Sequence, residues 1–158
     1  MERLYFEDCR VGDRAAAPAR TITETDIVQF AALTGDWHPL HTNVEYAKGT
    51  MFGERIAHGM LVLAIGTGLL FRSADNIALP RFSIVAAGLD KVRFVAPTKI
   101  GDTVSLESEV TQLQEMGVDR GLIIVRHRMM NQRREVVLTF TTKTLAKRRP
   151  RPEGTADG

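Results

Sequence analysis

Three of the chain's four histidines fall between Gly35 and Gly59, with an aspartate beside them. The two stretches are Thr34-Gly35-Asp36-Trp37-His38-Pro39-Leu40-His41 and Phe52-Gly53-Glu54-Arg55-Ile56-Ala57-His58-Gly59-Met60. Histidine changes charge near neutral pH, so Asp36 and His41 form a candidate pair for proton transfer. Pro39 fixes the backbone between them, the pre-set geometry that a positioned acid/base pair requires. Gly59 offers something different. It is expected to open an apolar helix, so its backbone N–H has no intrahelical acceptor and sits at the positive end of the helix dipole. With no side chain in the way, a substrate oxygen can approach it, which makes Gly59 a candidate oxyanion donor.

The same residues carry plainer readings. Asp36 also suits the capping of a turn, and His38 can simply pack beside Pro39. His58 precedes the apolar helix, where it suits fixing the loop through backbone hydrogen bonds rather than direct catalysis. A two-histidine, one-carboxylate metal set can be drawn from Asp36, His38, His41 and His58. The helical i, i+4 histidine spacing is absent, however, and Pro39 interrupts the His38–His41 register, so no metal is expected. Gly66-Thr67-Gly68 lacks the third glycine of a dinucleotide loop, since Phe71 stands there. There is no G-x-S-x-G element, and Cys9 has no histidine near it in sequence, so nucleophilic catalysis has little support.

The elements that must position these residues can be read from spacing. Thr23-Glu24-Thr25-Asp26 matches a capping box, and Ile27, Phe30, Ala31 and Leu33 follow at helical spacing. Gly35 can stop that helix in the left-handed conformation. Asp36 to His41 is then an irregular turn, with a short helical piece at Glu45–Lys48. Residues from Gly59 to about Arg72 are apolar on nearly every side, which predicts a helix buried all round. Beyond Pro80 the period changes to two. Val104, Leu106, Ser108 and Val110 alternate with polar residues, as do Val125, His127 and Met129, then Val136, Leu138, Phe140 and Thr142. Turn residues separate these runs, which predicts an antiparallel meander of about four strands after residue 4–22 structure that is extended or turn-like. A sheet with one apolar face and a single apolar helix predict an α+β fold with the sheet wrapped around the helix.

Composition fits one globular domain: 158 residues, 44% hydrophobic and 25% charged. Residues 147–158 hold four of the 21 basic and two of the 19 acidic side chains, leaving 17 of each in the body. No broad basic face for nucleic acid is expected. The organisation expected is a single domain over 1–146 and a basic, flexible tail over 147–158. A lone cysteine excludes an intramolecular disulfide and suits a reducing compartment. Met1 to Asp13 contains no apolar signal-peptide core, and Met60 to Phe71 is too short to span a bilayer. A soluble, cytoplasmic protein without membrane contact is expected.

The two site stretches resemble the MaoC-like hydratases, the hydratase 2 type of (R)-specific enoyl-CoA hydratase. The family signature, roughly Gly-Asp-x-Asn-Pro-x-His followed by Ile-x-His-Gly-Met, is met by Gly35–His41 and Ile56–Met60. Phe94-Val95-Ala96-Pro97 and Gly101-Asp102-Thr103 resemble the family's strand and turn after the central helix. The resemblance runs from about Val11 to Leu145. It implies a hot-dog fold, a homodimer or a higher assembly of dimers, and an acyl-CoA thioester as substrate with no cofactor. It implies Asp36 and His41 as the catalytic pair and the Gly59 N–H as donor to the thioester oxygen. It also implies a small hydroxyl residue in the central helix, for which Thr67 is the candidate. His38 and His58 are orienting candidates. The departure is His38, where the family usually has asparagine. Two other activities fit the same fold: an acyl-CoA thioesterase and a non-catalytic acyl-CoA-binding subunit.

Overall fold

Four of the five strands of one antiparallel sheet lie beyond Pro80, and three of them are the alternating runs. The computed structural model describes residues 2–73 and 77–151. A short 3₁₀ turn at Phe6–Asp8 leads into β1 (Arg14–Thr21), then α1 (Glu24–Thr34), α2 (Pro39–Thr42), α3 (Val44–Lys48) and α4 (Gly59–Leu70). The remaining strands are β2 (Ser83–Phe94), β3 (Thr103–Glu115), β4 (Arg120–Met130) and β5 (Val136–Lys147). The spatial order is β1-β3-β4-β5-β2. Only β3, β4 and β5 form the expected meander. β2 pairs with β5, and β1 takes the place beside β3. The 95–102 connection therefore crosses the sheet instead of turning back on itself. Pro18 lies at a register shift in β1, an edge strand, where a missing N–H costs no ladder bond.

Local chemistry sets the helix boundaries. Asp26 N–H donates to the Thr23 hydroxyl at 3.2 Å while Thr23 N–H donates to the Asp26 carboxylate at 2.8 Å, so α1 starts with the expected capping box. Gly35 ends it at φ +79°, its N–H on the Ala31 carbonyl. The turn after Gly35 is more regular than expected: Pro39 is the first residue of α2, a place where its missing N–H is harmless.

Helix α4 packs Leu61, Val62, Leu63, Ile65, Leu69 and Leu70 into the core with Leu106, Met129, Leu138 and Phe140. At Gly66 the helix comes close to the sheet: a Cβ there would sit 3.3 Å from the Phe140 ring and 3.4 Å from Met129 Sδ. The helix is not buried all round. Met60, Ala64, Gly68 and Phe71 face outward, Phe71 at 74% exposure, because the single sheet covers only one side. The expected start of a flexible tail at residue 147 is also displaced. Lys147 ends β5, Arg148 bonds to Glu7, Glu115 and the Gly117 carbonyl, and Arg149 pairs with Asp8 beneath the Tyr5 ring. Residues 152–158 lie outside the described residues.

One polar element runs through this core. His127 on β4 is fully buried, stacked on Phe140, and hydrogen-bonded to the Ser108 hydroxyl of β3 and the Thr142 hydroxyl of β5, each at 2.8 Å. Burial pushes its imidazole down to about 4. The unfolded chain therefore binds a proton that the folded chain refuses between about pH 6.5 and about pH 4, and stability falls as pH falls through that window, by up to about 1.4 kcal/mol per unit. Urea unfolding of the wild type should lose about 2 kcal/mol between pH 7 and pH 5 relative to His127→Gln, which has no proton to gain. Equal losses in the two proteins would show that His127 does not set the acid sensitivity.

Candidate active site

The site is assembled where α1 ends, where α2 begins and where α4 begins. The left-handed Gly35 turns the chain out of α1, and Asp36 follows at once. The Asp36 carboxylate accepts the His38 N–H at 3.2 Å, closing a turn. His38 stands at the N-cap of α2, its Nδ1 accepting the Leu40 N–H at 3.1 Å. This one-turn helix carries His41, and Asn43 caps α3 in turn through Tyr46 N–H.

The second half arrives from the other side. Ile56 bridges to Lys99, the Ala57 N–H donates to the Thr98 carbonyl at 2.8 Å, and Lys99 Nζ pairs with Glu54 at 2.5 Å. Asp102 holds the far end of that tie. It is 3% exposed and accepts the Lys99 N–H, the Gln132 side-chain amide and Arg133. Burial works against its charge, but these donors prevail and keep the carboxyl below the ordinary range. The segment 54–57 is thus fixed against 98–99, and α4 starts immediately beyond it.

A carboxylate oxygen of Asp36 and a ring nitrogen each of His41 and His58 lie within 4.8 Å of one another. The His41 and His58 rings stack at 3.9 Å, and Phe30 closes the other side of His58 at 5.0 Å. His41 Nδ1 is 2.7 Å from the Ile56 carbonyl. A carbonyl only accepts, so Nδ1 carries the proton and Nε2 of the neutral ring is a free base. Burial lowers the His41 pKa and outweighs the Ile56 carbonyl, which favours the charged form; His58 adds to the lowering and Asp36 opposes it. His58 is 2% exposed and donates Nε2–H to the Asp36 backbone carbonyl at 3.0 Å. Its Nδ1, an acceptor in that tautomer, has no hydrogen-bond partner among the described residues.

His41 forms part of the wall of an apolar cavity of about 510 Å³, with Phe52, Ile56, Gly59, Met60 and Phe94. Gly59 is the first residue of α4, so its N–H has no acceptor within the helix. A Cβ on Gly59 would lie 2.9–3.0 Å from three carbons of the Phe94 ring, so the absence of a side chain is a packing requirement as well. The arrangement can take a proton at His41, accept negative charge at a backbone N–H, and hold an apolar group beside both.

Asp36, His41, His58 and Gly59 are therefore brought together, and His38 stands behind the pair as a cap. Thr67 is not brought to them. It lies eight residues along α4 from Gly59, about 12 Å at the helical rise, and its hydroxyl donates to the Ala64 carbonyl at 2.8 Å. Arg55, in the segment that leads into α4, is paired with Glu24 at 2.9 Å and its side chain is only 17% exposed. Two participants were not foreseen. The Ile56 carbonyl sets the His41 tautomer, and the Phe94 ring covers Gly59. No side-chain pattern announces a backbone acceptor, and Phe94 stands 35 positions after Gly59 on a different element.

The MaoC like domain family matches residues 10–130. An (R)-specific enoyl-CoA hydratase of Rhodospirillum rubrum is 40% identical over 109 residues, 69% of this chain and 71% of that protein. Protein MaoC of Klebsiella aerogenes is 36% identical over 104 residues, 66% of this chain but only 30% of that longer protein. A Mycobacterium tuberculosis protein with a double hotdog fold superposes with a TM-score of 0.80 at 18% identity, over 98% of this chain and 51% of that one. The sheet packed against α4 is thus a hot-dog fold, and the chain belongs to the MaoC-like domain family of hydratases and dehydratases.

Proposed function

We propose that this protein hydrates trans-2-enoyl-CoA thioesters to (R)-3-hydroxyacyl-CoA, reversibly, with no metal or cofactor. The observation that carries this reading is the convergence of Asp36 and a neutral His41, with His41 and the Gly59 N–H lining one apolar cavity. The identities to an (R)-specific enoyl-CoA hydratase and to dehydratases support the same chemistry. A water held between Asp36 and His41 gives up a proton to the pair as its oxygen bonds to C3. The electrons of the C2–C3 double bond move toward the thioester, whose oxygen takes the charge against the Gly59 N–H. C2 then takes a proton from the pair. The count closes on one water: hydroxyl on C3, hydrogen on C2. Phe52, Met60 and Phe94 line the cavity and offer apolar contact to the acyl group.

The protein acts as a homodimer in the cytoplasm. The open edge of β2 exposes Ile84, Val85, Leu89 and Phe94, and α4 exposes Met60 and Phe71. Exposed apolar surface of this kind fits a second copy. Among the described residues no helix is long and apolar enough to cross a membrane.

Crotonyl-CoA hydration, followed by loss of the enoyl absorbance, tests the roles directly. Asp36→Asn and His41→Ala should each reduce kcat by about 10²–10⁴-fold. Retention within about tenfold of wild type would remove both residues from the chemistry. Release of free CoA, detected with a thiol reagent, would identify a thioesterase instead, and stoichiometric zinc or iron in purified protein would contradict the metal-free mechanism.

Gly59→Ala separates the backbone donor from the side-chain pair. The added Cβ must displace Phe94, so activity should fall by about tenfold or more, toward the loss seen when an oxyanion donor is removed. Gly59→Ala combined with Phe94→Ala should recover part of it. Full activity in Gly59→Ala alone would mean that the reaction does not use this corner of the cavity.

A further inference from the structure

We propose that His38 is a positioning residue: its neutral imidazole caps the turn that carries His41, and its protonation releases that turn. The proposal rests on the hydratase reading for its kinetic readout and on hydrogen-bond geometry for the rest. His38 is hydrogen-bonded to both members of the acid/base pair. Its backbone N–H donates to the Asp36 carboxylate at 3.2 Å. Its carbonyl accepts the His41 N–H at 3.0 Å and the Thr42 hydroxyl at 3.2 Å. Its side chain closes the same turn, with Nδ1 accepting the Leu40 N–H at 3.1 Å.

That last bond depends on charge state. Nδ1 accepts only while it holds a lone pair, so the proton of the neutral ring is on Nε2. An imidazolium has two N–H groups and no acceptor. Protonation thus replaces the Leu40 N–H···Nδ1 bond with two opposed donors, at the first turn of the helix that aims His41. The titratable groups facing His38 are Asp36 in the preceding turn, His41 on α2 with ring centres 6.1 Å apart, and Tyr46 on α3 at 5.9 Å. His38 is exposed, so a solvent proton reaches it without opening the fold. Asparagine at this position would cap equally well through its side-chain oxygen, with no proton to gain. Loss of activity on the acid side is therefore partly a property of this residue, separable from the titration of His41 itself.

The experiment compares wild type, His38→Asn and His38→Ala in crotonyl-CoA hydration from about pH 5 to about pH 8, the range in which histidine changes charge. His38→Asn should keep kcat within about twofold at the alkaline end and shift the acid limb of the profile to lower pH. His38→Ala should lose about fivefold in kcat at the alkaline end and converge on the wild type at the acid end, with KM changed less, since a missing cap loosens His41 rather than the cavity. A second readout needs no turnover. In ¹⁵N-resolved spectra the Leu40 amide of the wild type should move in step with the His38 ring signals as pH falls, and in His38→Asn it should not. An unshifted acid limb in His38→Asn, full activity in His38→Ala, or a Leu40 amide indifferent to His38 would each overturn the proposal. A wild type without hydratase activity would sink the functional reading alone, and the Leu40 amide would then decide the cap.

Discussion

Ala57 donates its backbone N–H to the Thr98 carbonyl at 2.8 Å, and this bond fixes where α4 begins. The helix has strong reasons to be buried but weak reasons to sit at one axial position, because an apolar cylinder can slide along an apolar sheet with little change in buried area. Polar ties remove that freedom. Ile56 bridges to Lys99, Asp102 holds Lys99 from the far side, and Gly66 lies close against Phe140 and Met129. The Gly59 N–H, one residue into the helix, inherits its position from these contacts. So does the Ile56 carbonyl, which sets the His41 tautomer from one residue before the bond. One tie therefore positions both the proposed oxyanion donor and the proton on the proposed base.

The opposite wall of the site is held by short-range order. Asp36, His38 and His41 lie within six residues, and the bonds among them span at most three. Such a turn would hold its shape poorly in isolation. His58 joins it to the α4 side, since its Nε2–H reaches the Asp36 carbonyl across 22 residues of sequence. His58 is thus the fastening between two separately built halves. Its stacking on His41 and its sealing by Phe30 leave it no freedom to turn. Its Nδ1, buried and without a partner among the described residues, carries a desolvation cost that the Nε2 bond and the stacking must offset.

What could be read from the sequence was whatever depends on neighbours along the chain. The Thr23–Asp26 capping box, the left-handed Gly35, and the inward phase of Val104, Leu106, Ser108 and Val110 follow from local rules and are present. What could not be read depends on which surfaces meet. Nothing local says that β2 pairs with β5 instead of β3, because the antiparallel pattern is the same either way. The outward stripe Met60, Ala64, Gly68 and Phe71 is as apolar as the buried one, so composition predicts a helix covered all round. The four arginines and lysines after Ala146 look like a solvated tail until Glu7, Asp8 and Glu115 are seen opposite Arg148 and Arg149. Thr67 was suggested by resemblance alone, and its bond to Ala64 is the ordinary behaviour of a threonine inside a helix.

His41 and His127 show why a perturbed histidine does not by itself mark a site. Burial lowers both, His127 further than His41. By electrostatics alone His127 is the more unusual residue. The difference lies in the second nitrogen. Each nitrogen of His127 meets a hydroxyl at 2.8 Å, so the ring is saturated and can only join strands. His41 has one nitrogen committed to the Ile56 carbonyl and the other left as a lone pair in a ring that lines an apolar cavity. A depressed pKa keeps a ring neutral, and an uncommitted nitrogen makes it a base. Both conditions are met at His41 and only the first at His127, which is why His41 is the proposed base and His127 belongs to the core.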